Sequence, residues 1–205
     1  GLVGYNGGQI LRCQVEGSVV GNQQVGGLVG ESAGLSSLIE SCSAEIGING
    51  SAKVGGLVGR LSTYSRVVSS SSRGTIESTH DLAGGLVGEQ DMSTIENCVS
   101  YGNVSGHSEV GGLVGKSRGS SIQESFTENQ VSASDSLSKV GGLVGLLTEI
   151  SLVDNSYSSS TVSGIGRVGG LVGEMGGDAT ASTTVSNAYS MGLVNAHTEA
   201  GGLIG

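Results

Sequence analysis

Apolar residues in this chain recur in short clusters at a nearly constant interval. The string Gly-Leu-Val-Gly begins at residues 1, 27, 56, 85, 112, 142 and 170, and Gly-Leu-Ile-Gly begins at 202. The intervals are 26, 29, 29, 27, 30, 28 and 32 residues. The complete internal copies are Gly27-Leu28-Val29-Gly30, Gly56-Leu57-Val58-Gly59, Gly85-Leu86-Val87-Gly88, Gly112-Leu113-Val114-Gly115, Gly142-Leu143-Val144-Gly145 and Gly170-Leu171-Val172-Gly173. Another Gly precedes each of these, with Val25, Val54, Ala83, Val110, Val140 or Val168 before it. A second aliphatic position lies in mid-unit: Ile10, Ile39, Val68, Ile95, Ile122, Val153 and Val185. Three residues later comes a small side chain: Cys13, Cys42, Ser71, Cys98, Ser125, Ser156 or Ala188. Nine residues after the aliphatic position stands another: Val19, Ile48, Val104, Val131, Val162 and Val194. The third unit offers Ile76 one residue early, which predicts an irregular coil there. Ser, Asn, Gly and Thr fill the intervals and read as turns.

No apolar segment has helical spacing, and short β-branched segments bounded by turn residues read as strands. Three short strands in about 29 residues predict one coil of an all-β parallel β-solenoid. Seven full coils follow: 1–26, 27–55, 56–84, 85–111, 112–141, 142–169 and 170–201, with the start of another at 202–205. The chain therefore reads as a single repeat domain, and as a piece of a longer array or a subunit that stacks end to end. In such a stack equivalent residues lie about 4.8 Å apart. Taken as one strand, Val-Gly-Gly-Leu-Val is apolar on both faces, so both should be covered. The column from Leu2 to Leu203 then needs a second layer, supplied by the same coil, a flanking domain or another subunit.

Composition sharpens this picture. There are 39 glycines among 205 residues and no proline. An interior strand cannot lose a ladder donor, which disfavours proline. There is no tryptophan, and phenylalanine occurs once. A narrow bore filled by Val, Ile, Leu, Ala, Ser and Cys accounts for that. The net charge of −9 leaves no basic patch for nucleic acid. No apolar run is long enough for a membrane-spanning helix.

Chemical motifs are present but lack their contexts. Gly164-Ile-Gly166-Arg-Val-Gly169 fits a dinucleotide fingerprint, which needs a helix where a strand repeat follows. Gly115-Lys-Ser117-Arg-Gly119 fits a nucleophile elbow without a helix or partners, and Ser136 to Lys139 fits Ser-x-x-Lys without its companion motifs. His80, His107 and His197 share one column, with Asp81 and Glu109 nearby, which is short of a metal's usual ligand set. The position after the motif holds Glu31, Arg60, Glu89, Lys116, Leu146 and Glu174 and reads as a solvated face. Cys13 and Cys42 stand on neighbouring coils, as small buried thiols or, in strained geometry, a disulfide. Asn49-Gly-Ser51 and Asn103-Val-Ser105 fit glycosylation acceptors near turns. No catalytic residue, metal or cofactor is assigned.

The recurring Gly-Gly-Leu-Val-Gly, with Ile95-Glu-Asn-Cys98 and Val153-Asp-Asn-Ser-Tyr157, resembles the GLUG-motif repeat over essentially the whole chain. That repeat is found mostly in large secreted or surface-attached microbial proteins. They include adhesin-like proteins and the non-catalytic portions of immunoglobulin A peptidases. The resemblance implies an extracellular or cell-surface element and carries no active-site residues. The expected function is structural and non-enzymatic: a stalk, spacer, adhesive or filament-forming element whose partners are flanking repeats or further copies. The alternative is a module binding a glycan or host protein on one solenoid face. An aromatic column would favour it, and Tyr157 and Tyr189 are its hints. A polysaccharide-acting enzyme on a β-helix would need clustered acids or bases in one groove, and none is evident.

Overall fold

In the computed structural model the first five coils each fold into four short strands rather than three, and in the last two the third strand is split in two. The structure describes residues 1–176 and 182–205. The second coil shows the pattern: Val29–Ala33, Leu38–Glu40, Ser43–Gly50 and Ala52–Gly55. Each strand pairs in parallel with its equivalents in the neighbouring coils, giving four parallel sheets, here A, B, C and D in order along the coil. The molecule is a parallel β-solenoid of about seven coils, as its periodicity predicts.

The fourth strand arises where the sequence suggests one continuous segment. Val-Gly-Gly-Leu-Val does not run straight. It ends sheet D at Gly26 and begins sheet A at Val29, with Gly27 and Leu28 forming a corner between them. Because the chain bends there, strict alternation fails, and Val25, Leu28 and Val29 are all buried. Leu28, Leu57, Leu86, Leu113, Leu143 and Leu171 are each fully buried within this one chain. The cover over the leucine column is therefore the coil itself, and Leu2 and Leu203 remain exposed.

The third coil is regular. The register aligns Val67, not Val68, with Ile39 and Ile95. Val67 is fully buried, and Ser70 takes the small position rather than Ser71. Counted from Val67, Ile76 falls nine residues on, as in other coils, and pairs with Ile48 and Val104. Two adjacent valines hid this choice in the sequence, and only pairing to the neighbours resolves it.

The turn from sheet B to sheet C is the same in all seven coils. Arg12, Ser41, Ser69, Asn97, Glu124, Asn155 and Asn187 each have positive φ, between 47° and 55°. Asn tolerates the left-handed region better than most residues, and three of the seven are Asn. This turn places the following small side chain inside, where Ser125 Oγ accepts the Cys98 N–H over 3.1 Å and Ser156 Oγ accepts the Ser125 N–H over 3.1 Å. Serine is thus admitted to the interior because each hydroxyl joins one coil to the next.

Candidate functional site

The Gly-Gly-Leu-Val-Gly corner is the most repeated site on the chain, and its role is coil-to-coil adhesion. Each leucine carbonyl accepts two N–H groups from the preceding coil. Leu57 O takes Leu28 N at 2.9 Å and Val29 N at 3.0 Å. Leu86, Leu113, Leu143, Leu171 and Leu203 do the same. The glycines permit the close approach this requires. A Cβ on Gly27 would stand 2.8 Å from Ile46 Cγ2 in sheet C. A Cβ on Gly59 would stand 2.6 Å from the Val25 nitrogen in sheet D. Gly88 repeats this against Val54, and Gly145 against Val110. Sheets A and D therefore meet backbone to backbone, which excludes every side chain. Sheet C adds a polar clasp: Ser72 Oγ donates to Gly85 O at 2.6 Å, Thr127 Oγ1 to Gly142 O at 2.7 Å, and Asn129 Nδ2 to Gly112 O at 2.6 Å.

The column after the motif is not a merely solvated face. Arg60 bonds Glu31 at 2.9 Å and Glu89 at 3.0 Å, Lys53 reaches Glu89 at 2.7 Å, and Arg118 reaches Asp91 at 3.0 Å. Charges alternate along the axis over coils two to five. The carboxylates raise the Arg118 pKa, with the Asp91 hydrogen bond as the main cause. Each partly exposed pair is worth up to about 1 kcal/mol. Sequence order alone shows which residues share the column. That their signs pair across coils depends on the register.

On the outer face of sheet C, Val99, Phe126, Tyr157 and Tyr189 occupy one column. Phe126 stacks on Tyr157 and Tyr157 on Tyr189, each with centroids 4.9 Å apart and planes within 2°. Tyr101 meets the Phe126 ring edge-on at 6.1 Å, and Arg73 caps Tyr101 at 4.6 Å. Desolvation, ahead of its tyrosine neighbours, raises the Tyr157 pKa. The two tyrosines that looked isolated in sequence therefore belong to a continuous ladder. Sequence periodicity alone puts Phe126 at the position equivalent to the two tyrosines, and the structure adds that the three rings stack.

Gly164 to Gly169 passes from a strand of sheet C into one of sheet D. Ser117 is buried in sheet A and donates to Gln90 Oε1. His80 Nδ1 shares hydrogen bonds with Ser51 and Thr79, and His107 faces Asp135 at 3.4 Å. Among the described residues no three of His, Cys, Asp and Glu come together as a metal site. Asn49 and Asn103 project from strands of sheet C rather than from turns, and both are exposed.

The cysteines are thiols. Cys13 N–H donates to Cys42 Sγ over 3.4 Å, which confirms their stacking without a bridge. Burial raises the Cys42 pKa and pushes that of Cys98 up to about 12. The thiolate is the reactive form. In the native protein at neutral pH, a maleimide or iodoacetamide should label Cys13 first and Cys98 only after denaturation. Mass spectrometry of the labelled peptides checks this, and native labelling of Cys98 at the rate of Cys13 would contradict its burial.

Fold and site together define a β-solenoid repeat protein built on a glycine corner. No family model matches the chain, and no curated protein matches it. It is similar to a crystal structure described as a "putative immunoglobulin A1 protease from Bacteroides ovatus", with a TM-score of 0.69 and 19% identity. The likeness covers 93% of this chain and 66% of that one, just under two thirds, and it is a likeness of fold.

Proposed function

We propose that this chain is a non-enzymatic structural segment of an extracellular or cell-surface microbial protein, acting as a stalk, spacer or adhesive element. One observation carries this reading: every coil's best-defined site is spent on holding the next coil. Leucine carbonyls, glycine contacts and buried hydroxyls all run along the axis. Such a rod suits neighbours placed end to end, either flanking repeats or further copies. The resemblance of the repeat to the GLUG motif supports a surface location, and the fold likeness to the Bacteroides protein is compatible with it. Antibody raised against the chain should stain intact producing cells. Insertion of two coils should lengthen the surface projection by roughly 10 Å. Staining only after permeabilisation would overturn the assignment.

The aromatic ladder supports a second reading, in which the outer face of sheet C binds a glycan or host protein. Aromatic side chains present apolar surface to such ligands, with Asn103, Gln130 and Thr161 in a polar column further along the same sheet. A glycan array probed with the chain and with Tyr157→Ala would separate the readings. Binding lost in the variant favours the module, and no binding by either leaves the rod.

A further inference from the structure

We propose that two copies of this chain pair side by side and antiparallel along the corner between sheets A and B. This goes beyond axial stacking and rests on a different surface.

The corner carries a row of apolar tips. Leu35 is 82% exposed, Tyr64 60%, Met92 42% and Ile150 70%. Their backbones follow one another along the axis: Tyr64 N donates to Met92 O at 2.6 Å, Met92 N to Arg118 O at 3.0 Å, and Gly119 N to Glu149 O at 3.0 Å. The row is broken at Gly119, where Arg118 and Glu149 pair at 3.6 Å, but exposed apolar residues gathered along one edge mark an interaction face. The row is also held at a cost. Tyr64 has φ 62°, Met92 φ 45° and Ile150 φ 28°. A β-branched residue in that region is an outlier, and Gly119 shows what the turn prefers, at φ 55°. Large apolar groups thus stand where glycine would relieve strain and polar groups would be better solvated.

The occupant is indicated by the turns themselves. Between sheets A and B, coils one to six use residues 7–8, 34–37, 63–65, 92–93, 119–120 and 149–151. Their lengths are two, four, three, two, two and three residues. A twofold axis between coils three and four, perpendicular to the solenoid, sets coil one against six, two against five, and three against four. In every pair a longer turn meets a shorter one. Leu35 meets Gly119, Tyr64 meets Met92, and Ile150 meets Gly7 and Gly8. The receiving sites are open: a Cβ on Gly8 would have no atom within 4 Å, and one on Gly119 only Met92 Cγ at 3.6 Å. A groove of about 350 Å3 around Gly119, lined by Tyr64, Met92, Ile150 and Leu152 together with Arg66 and short hydroxyl side chains, receives the partner's Leu35. This is the self-complementarity an isologous interface requires. A parallel arrangement would instead set Leu35 on Leu35 and leave a void at Gly119.

Sedimentation equilibrium of the full chain should give twice the 20.2 kDa monomer mass at micromolar concentration. Leu35→Asp should weaken association at least tenfold. Ile150→Gly should weaken it equally while raising the thermal midpoint of the monomer, because it also removes the strained residue. In a Cys13→Ser background, Gly8→Cys and Ile150→Cys chains, mixed under a mild thiol oxidant, should form the mixed disulfide. A parallel pair would hold those positions about 24 Å apart. A monomer at all concentrations, dimers that survive Ile150→Gly, or chains that dimerise without mixed cross-linking would each overturn the proposal. The last two would point to a different face or to parallel pairing.

Discussion

Gly88→Ala should destabilise the solenoid by at least about 3 kcal/mol, although it adds one methyl group. The reason is where the methyl would go. Its carbon would stand 2.7 Å from both the Val54 nitrogen and the Gly59 oxygen. Both are backbone atoms fixed in sheet ladders, so no rotamer change relieves the contact. For a chain of this size the loss corresponds to a melting point roughly 6–12 °C lower. Gly47→Ala is the matched control. Gly47 also lies within a strand, but a Cβ there would meet nothing within 4 Å. Its effect should stay within about 0.5 kcal/mol. Parallel thermal and urea denaturation of the two variants checks the pair. Equal effects would mean that sheets A and D do not meet at the glycines.

Leu113→Ala should cost about 2–5 kcal/mol, the range for a large-to-small change at a site that cannot collapse. Leu113 is fully buried, and its neighbours Leu86 and Leu143 are pinned by the carbonyl ladder on either side. The surroundings therefore cannot move in to fill the space. Leu137→Ala removes the same atoms from a side chain that is 80% exposed and should be nearly neutral. Because each coil contacts mainly its neighbours, the Leu113→Ala loss should appear as local opening of coils four to six before global unfolding. Hydrogen exchange at the Leu86 and Leu143 amides reports it. Uniform exchange changes along the whole chain would show that the solenoid unfolds as one unit instead.

Both expectations concern a corner that the sequence located but misread. Its period, its glycines and its leucine column were legible, because a solenoid repeats one steric requirement in every coil. Reading Val-Gly-Gly-Leu-Val as a straight strand produced three strands and left the leucines needing a second layer whose source stayed open. The bend between Gly26 and Val29 supplies the fourth strand and turns the leucine inward. Periodicity cannot reveal such a bend, since it reports which positions are apolar and not where the backbone changes direction.

The same distinction runs through the rest of the molecule. Sequence alone determined the all-β class, the parallel stacking, the coil number and the composition of the core. These depend on what recurs, and recurrence is written along the chain. Tertiary structure alone decided that Val67 rather than Val68 faces inward, that Arg60 bonds both Glu31 and Glu89, and that the rings of Phe126, Tyr157 and Tyr189 stack face to face. It also set the unequal turns at the corner between sheets A and B in one row. Each of these is a relation between coils about 29 residues apart, fixed by register to within one residue. A shift of one position would reverse which face each side chain takes, and only the hydrogen-bonded ladder sets that position.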